Sequence, residues 1–207
     1  MELIEALKIK KGKFDIPDCS RDDLPKLFVQ LGYKVGAEIG VFKGRFSAKL
    51  LASGLKVYSV DPYLAYDEFN DRRLPLDVLQ KEMDGYHKVA QWRLKRYRHS
   101  TLVRKTSMDA SKDFADGSLD FVYIDGCHRF RYIAEDLAEW SKKVRSGGIV
   151  SGHDYYLNLQ RWPCHVKPVV DAFIETYDIK NLYILGSEDI KDGEIRDRYR
   201  SWMWVNP

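Results

Sequence analysis

Two spacings of apolar residues alternate along this chain. Short apolar runs, such as Val35–Ile39 and Leu119–Ile124, are typical of strands that are covered on both faces of a parallel sheet. Between such runs, apolar residues recur every three or four positions, as at Phe46, Leu50 and Leu51, which indicates amphipathic helices. Strands are predicted at 35–39, 56–60, 101–104, 119–124, 149–151, 181–186 and 199–205, and helices at 2–10, 21–31, 107–114, 130–144 and 168–177.

This alternation predicts the fold class. Strands that alternate with helices form a mostly parallel sheet with helices on both faces, which is a Rossmann-like, doubly wound, three-layer α/β/α arrangement. The chain has 207 residues, enough for one such domain over 1–207. Within it, helices are predicted over 1–34. Segment 63–100 is too long for a plain crossover between the second and third strands, so it is predicted to form an insertion or lid.

An acidic residue and two glycines lie in the turn between the strand at 35–39 and the helix that follows it. This turn runs from Glu38 through Gly40 to Gly44. Glycine lets the backbone approach a ligand closely, and a helix that begins here offers free N–H groups. The next strand ends at Asp61, whose carboxylate is placed to accept hydrogen bonds from a ribose diol. Together the two features predict a cofactor that contains adenosine.

The turn also indicates which cofactor this is. The phosphate-binding pattern G-x-x-x-x-G-K-[ST] and the dinucleotide pattern G-x-G-x-x-G are both absent, and the missing third glycine disfavours the alternative of an NAD-dependent oxidoreductase. Glu38 would repel a pyrophosphate but attract an ammonium group, and S-adenosylmethionine carries both an ammonium group and a ribose diol. We therefore expect Glu38 at the ammonium group, Asp61 at the ribose and Ser107 beside the adenine. The predicted cofactor-binding residues are Glu38, Gly40, Phe42, Gly44, Asp61, Pro62, Ser107, Met108 and Asp125.

Acidic residues and histidines follow the fourth and fifth predicted strands. Asp125 and His128 come after the strand at 119–124, and His153 and Asp154 come after the strand at 149–151. Because parallel strands present their carboxyl ends at one edge of a sheet, all four side chains are expected in one cleft as candidate catalytic residues. His153 is the first candidate for a general base, since an unperturbed imidazole titrates near working pH. The alternatives are that His153 only hydrogen-bonds its turn and that His128 packs over the cofactor or at the helix start.

Three motifs carry a resemblance to a known family. They are DGSLDFVYIDGCH at 116–128, DLAEW at 136–140 and KVRSGGIVSGHDY at 143–155, and the turn at 38–44 and the sequence VDPY at 60–63 fit with them. With these motifs the chain resembles a bacterial family of class I S-adenosylmethionine-dependent methyltransferases, akin to the macrocin-type O-methyltransferases and more distantly to catechol O-methyltransferase. The resemblance implies an antiparallel last strand inserted beside the fifth strand. It also implies methylation of a small polar acceptor, such as a hydroxyl of a sugar or natural product.

The same resemblance raises the question of a metal ion. Metal-dependent relatives use carboxylates at the ends of the fourth and fifth strands, and Asp125 and Asp154 match that placement. Their oxygen ligands would suit Mg²⁺. His153, however, stands where those relatives tend to have another acidic residue, and this departure argues against a magnesium site.

Composition and cysteine spacing indicate the cellular compartment of the protein. The three cysteines show no C-x-x-C spacing, which argues against a disulfide framework and a structural zinc site and fits a reducing cytoplasm. The sequence contains no 18-residue apolar run, and its first residues show no apolar signal-peptide core, so we expect a cytoplasmic protein with no membrane partner. Self-association into a homo-oligomer is left open.

Basic and aromatic residues mix along the predicted helix at 86–99. Lys88, Trp92, Arg93, Lys95 and Arg96 all lie there. Such a surface can hold RNA or a phosphorylated substrate, and an RNA-binding methyltransferase-like module is therefore an alternative function. A solvated helix face is the simpler interpretation, and the net charge of +3 is too mild to call for nucleic acid.

Overall fold

The computed structural model describes residues 2–9, 12–67, 72–160, 163–187 and 199–207, which fold around one sheet. Its strands are β1 (Lys13–Ile16), β2 (Val35–Ile39), β3 (Lys56–Val60), β4 (Ser100–Val103), β5 (Leu119–Ile124), β6 (Val144–Gly152), β7 (Leu182–Leu185) and β8 (Ser201–Val205). The helices are α1 (Leu3–Ala6), α2 (Leu24–Gln30), α3 (Arg45–Ala52), α4 (Leu76–Leu94), α5 (Ser107–Ser111), α6 (Phe130–Lys143) and α7 (Val166–Thr176).

The sheet confirms the predicted topology. Its strand order is β1-β7-β8-β6-β5-β2-β3-β4, and β2 lies in parallel between β5 and β3. The last strand, β8, is antiparallel to both of its neighbours, with Val205 opposite Ile149 of β6 and Met203 opposite Tyr183 of β7. The chain therefore has the expected Rossmann-like sheet with an inserted antiparallel last strand.

The N-terminal segment contains a strand besides the helices predicted over 1–34. Helix α1 ends at Ala6, and residues 13–16 form β1, which pairs in parallel with β7 and places Phe14 opposite Tyr183. Residue 10, the predicted end of the first helix, lies outside the described residues. Strand β1 has only four residues, too few to give a clear periodic signal in the sequence, so pairing with β7 decides their conformation.

Helices cover both faces of the sheet and bury two apolar cores. On one face, Phe28 of α2 stacks on Phe121 of β5 with 4.2 Å between ring centroids, and Phe46 of α3 lies 4.2 Å from Tyr123. On the other face, α5, α6 and α7 cover a core that includes three buried tryptophans, Trp140, Trp202 and Trp204. These two cores make the three layers and hold the strand ends in fixed positions.

Gly36 in β2 is required by the packing of the first core. A Cβ at this position would overlap the ring of Phe121, which is fully buried. We expect Gly36→Ala to lower the free energy of unfolding by about 1–3 kcal/mol, because the stacked rings cannot move aside without strain. Urea unfolding followed by fluorescence measures this change.

A matched control for this prediction is Gly85→Ala in the interior of α4. A Cβ at Gly85 meets nothing within 4 Å, so alanine should raise the free energy of unfolding by up to about 1 kcal/mol through helix propensity. Equal effects at the two positions would show that the close approach of Gly36 to Phe121 does not limit stability.

Candidate active site

A cavity of about 480 Å³ opens where β2, β3 and β5 end. This volume is in the range of small-molecule sites. Seven of the nine predicted cofactor residues line it: Gly40, Phe42, Asp61, Pro62, Ser107, Met108 and Asp125. The cavity therefore lies where the sequence predicts a ligand, although the contacts of individual residues with a cofactor stay predictions. Glu38 and Gly44 are not among its lining residues.

Asp61 ties the turn after β2 to the end of β3. One carboxylate oxygen accepts hydrogen bonds from the backbone N–H groups of Val41 (3.0 Å) and Phe42 (2.9 Å), and the other accepts one from Tyr63 (2.9 Å). Burial raises the pKa of Asp61, and these three bonds oppose that rise. The carboxylate thus fixes the shape of the turn and also faces the cavity, where its remaining lone pairs can accept a ribose hydroxyl.

Gly40 brings this turn against the end of β5. Its φ of 90° lies in the region that favours glycine, and a Cβ would overlap the backbone carbonyl of Asp125. Three residues other than glycine in and around the site also have positive φ: Phe42 (51°), Tyr63 (48°) and Asp154 (58°). Strained backbone of this kind is retained where a site needs a fixed geometry.

Glu38 is buried beneath the turn rather than at the cavity wall. Its carboxyl accepts a hydrogen bond from Ser47 of α3, and the hydroxyl of Ser59 donates to Ser47 over 2.8 Å. Burial raises the pKa of Glu38 to about 8, since little water reaches the carboxylate. Its predicted contact with an ammonium group stays a prediction.

Ser107 belongs to a buried polar chain that continues into α6. The indole N–H of Trp140 donates to the Ser107 hydroxyl over 2.7 Å, and this hydroxyl donates in turn to the carboxyl of Asp136. Burial raises the pKa of Asp136 to about 7. Sequence reasoning missed Asp136 as a site residue. The signal was an acidic residue on the apolar face of α6, next to Leu137 and one turn from Ile133.

The four candidate catalytic residues come together beside the cavity. His128 Nε2 lies 3.0 Å from Asp154 Oδ2 and 3.7 Å from Asp125 Oδ1. His153 Nδ1 lies 3.2 Å from the same Asp154 oxygen and 3.9 Å from Asp125 Oδ1. Asp125 connects this cluster to the cavity, because it lines the cavity wall. The structure thus forms the predicted cluster, and the roles of its members stay predictions.

A fifth residue completes the cluster from a distant part of the chain. Arg21, in a 3-10 turn before α2, places Nη1 3.1 Å from Asp125 Oδ2. Sequence reasoning missed it, since no local pattern marks a residue 104 positions from its partner as part of the site.

Two carboxylates determine the protonation state of His128. Burial alone would lower the pKa of His128, but hydrogen bonds to Asp125 and Asp154 raise it to about 10. Burial would raise the pKa of Asp154, but bonds from His128 and His153 hold it well below its usual range. His128 is therefore an imidazolium at neutral pH and has no free lone pair to accept a proton. The His128 side chain is 34% exposed, whereas that of His153 is 8% exposed.

The same cluster fits a divalent cation by its donor atoms. One ligand atom each from Asp125, His128 and Asp154 lies within 4.8 Å of the others. Two carboxylate oxygens and an imidazole nitrogen suit divalent metals, and a bound cation would compete with the proton on His128.

Segment 63–100 contributes one wall of the cavity. Tyr66, Met83 and Tyr86 line it, while residues 68–71 lie outside the described residues. The ring of Tyr86 packs against that of Phe42 with 4.5 Å between centroids, which connects α4 to the glycine turn. The insertion therefore lies where the predicted lid would have to be, and closure over a ligand stays a prediction.

The basic surface predicted at 86–99 lies elsewhere. Lys88, Trp92 and Lys95 line a separate groove beside the first residues of β4, whereas the cavity lies at the carboxyl ends of the strands. Trp92 is 65% exposed there. Its basic residues therefore do not take part in the cavity.

The sequence of this chain matches a known family and a known protein. Residues 37–155 match a family described as a methyltransferase domain. Over 69 residues, a third of this chain, the sequence is 33% identical to the uncharacterized protein y4gI of Sinorhizobium fredii, and the match spans 8% of that protein's length.

Solved structures share the fold, and two of them serve as examples. An O-methyltransferase from Bacillus cereus, in complex with S-adenosylhomocysteine, has a TM-score of 0.61 at 14% identity, with 90% of this chain and 80% of that chain covered. TomG, an O-methyltransferase of Streptomyces achromogenes involved in tomaymycin synthesis, in complex with S-adenosylmethionine, has a TM-score of 0.61 at 14% identity, with 90% and 79% covered. None of the helices among the described residues is both long enough and apolar enough to cross a membrane.

The buried carboxyl of Glu38 predicts how stability depends on pH. Because its pKa rises from 4.5 to about 8 on folding, the folded chain holds the proton more tightly than the unfolded chain. The free energy of unfolding should therefore fall as pH rises between these values, by up to about 1.4 kcal/mol per pH unit. Glu38→Gln, which keeps the shape without the charge, should make this fall less steep. Urea unfolding at a series of pH values measures it.

The control for this prediction is Glu139→Gln, because Glu139 is an exposed carboxylate of α6 paired with Lys142. The Glu139 variant should show the same change of the free energy of unfolding with pH as the wild-type protein. The same slope in the Glu38 and Glu139 variants would contradict the assignment of the pH dependence to Glu38.

Proposed function

This chain belongs to a family of methyltransferase domains, and we propose that it transfers a methyl group from S-adenosylmethionine to a hydroxyl of a small polar acceptor, such as a sugar or natural product. The observation that carries the proposal is the cavity at the strand ends, where the glycine turn, Asp61 and Ser107 meet. We also propose a cytoplasmic setting, since the described residues contain no disulfide between any two of the three cysteines, as expected in a reducing compartment.

The residues around the cavity fit this cofactor. Asp61 is fixed by three backbone bonds and has lone pairs left for the ribose hydroxyls. Gly40 lets the turn lie directly against the end of β5, where a Cβ would overlap the carbonyl of Asp125, and in this position Gly40 lines the cavity. Glu38, behind the turn, supplies an acidic group for the ammonium end, directly or through water. The bound cofactor would supply an electrophilic methyl group on its sulfonium, so that positioning of the acceptor governs the rate.

The cluster of two carboxylates and two histidines would prepare the acceptor, and Asp125 connects this cluster to the cavity. His128 already holds its proton, so its positive charge can stabilise an oxygen that is losing a proton. His153 remains the proposed base, because it lies next to Asp154 in the same cluster, and that carboxylate can stabilise the imidazolium formed. The ion pair between Asp125 and Arg21 would then help to orient the acceptor beside the cluster.

A metal-assisted variant of the same reaction has one specific observation in its favour. The ligand atoms of Asp125, His128 and Asp154 lie close enough together for one cation. A divalent ion there would acidify the acceptor hydroxyl and make a histidine base unnecessary. The experiment that tests His153 as the base therefore also tests whether activity requires a metal ion.

We expect Asp61→Ala to weaken binding of S-adenosylhomocysteine by about 1–3 kcal/mol, because ribose hydroxyls would lose their buried acceptor. Isothermal titration calorimetry measures the affinity. Asp116→Ala is the matched control, since Asp116 is exposed and pairs with Lys143 on the far end of α6. Unchanged affinity in the Asp61 variant would exclude its role at the ribose.

We expect His153→Ala to lower turnover by about 10²- to 10⁴-fold, the usual contribution of a general base. Release of S-adenosylhomocysteine with a panel of hydroxylated acceptors measures turnover, and calorimetry should show nearly unchanged cofactor affinity. His99→Ala, in the turn before β4, is the control. If activity survives in the His153 variant but disappears with EDTA and returns with Mg²⁺, the base assignment is wrong and the metal variant replaces it.

A further inference from the structure

The buried chain from Trp140 to Asp136 ends at an atom with unused bonding capacity. The indole N–H of Trp140 can only donate, so the Ser107 hydroxyl accepts from it and must direct its own hydrogen to Asp136 Oδ1. Each group in this chain therefore donates toward Asp136, and Asp136 Oδ1 has a hydrogen-bond partner. Among the hydrogen bonds of the described residues, none reaches Asp136 Oδ2.

This second oxygen lies beside a residue of the cavity wall. Asp136 and Gly126 both line the cavity, and a Cβ added to Gly126 would lie 3.4 Å from Asp136 Oδ2. The residue itself is only 4% exposed. A carboxyl oxygen in this position is costly to leave without a donor, and burial accordingly raises the pKa of Asp136.

A ligand that fills the cavity can satisfy the oxygen only if it presents a hydrogen-bond donor there. Ser107 and Met108 lie at the same part of the wall, and the sequence places Ser107 beside the adenine. Adenine carries an exocyclic amino group that donates hydrogen bonds, whereas hypoxanthine carries a carbonyl oxygen at the same position. Two oxygens facing each other without a hydrogen between them would repel.

We propose that Asp136 is the residue that selects adenine, with Oδ2 accepting a hydrogen bond from the exocyclic amino group while Ser107 and Trp140 hold the carboxyl in place. This inference rests on the proposed function, because it assumes that the cavity holds the adenosine part of the cofactor. Trp140 acts as a positioning residue, since it reaches the base only through Ser107 and Asp136, whereas Ser107 both holds Asp136 and lines the cavity.

The test compares two ligands by calorimetry: S-adenosylhomocysteine and S-inosylhomocysteine, in which hypoxanthine replaces adenine. The wild-type protein should prefer the adenine compound by at least about tenfold, because a site built for a donor rejects an analogue that lacks it. In Asp136→Asn, Ser107 keeps the side-chain oxygen and the amide NH₂ takes the place of Oδ2. This donor suits the carbonyl of hypoxanthine, so the preference should disappear or reverse.

Glu139→Gln is the matched control, because it makes the same carboxylate-to-amide change one turn further along α6 on the exposed side. It should keep the wild-type preference. Equal affinity of the wild-type protein for the two ligands would overturn the inference, even if the Asp136 variant does not fold. So would an unchanged preference in a folded Asp136→Asn variant. If the wild-type protein binds neither ligand, the proposed function itself fails.

Discussion

The carboxylate of Asp61 is the interaction on which the rest of the site depends. It accepts backbone hydrogen bonds from both sides of the gap between β2 and β3, so the glycine turn cannot move independently of the end of β3. Gly40 then places this turn directly against the carbonyl of Asp125. Three strand ends are therefore joined through two residues, and the position of the cavity relative to the candidate catalytic residues follows from that connection.

The chain also buries two other carboxyls close to this turn, one on each side of the sheet. Glu38 is paired with Ser47 toward α3, and Asp136 is paired with Ser107 toward α6. Burial raises the pKa of both, which means that each opposes folding when it is ionised at neutral pH. A carboxyl that weakens the fold in this way is explained more simply by a ligand than by packing, because an apolar residue of similar size would fill the same space at lower cost.

Local pattern and the direction of parallel strands were enough to predict the turn at 38–44 and the meeting of Asp125 with Asp154, because β5 and β6 end together. The antiparallel position of β8 was predicted from the family resemblance, not from its own residues. Contacts between segments that are far apart in the sequence could not be predicted from a local pattern of residues. β1 is a strand only because β7 offers it an edge, and Arg21 joins the cluster only because α2 packs on that face of the sheet. Asp136 was overlooked because the apolar face of α6 predicts burial without indicating that a buried polar residue faces a cavity.

The charge balance of the cluster limits the chemistry that it can perform. Asp125 and Asp154 both approach His128, and two carboxylates so close together repel each other unless positive charge lies beside them. Arg21 supplies one such charge at Asp125, and the proton on His128 supplies the other. A divalent cation could replace that proton but could not easily be added to it, because all three ligand atoms surround the same space. The imidazolium and the metal are therefore alternative ways of meeting one electrostatic requirement. In the reaction that we propose, an acceptor oxygen next to Asp125 would meet a positive charge in either case, and this charge would favour the loss of its proton.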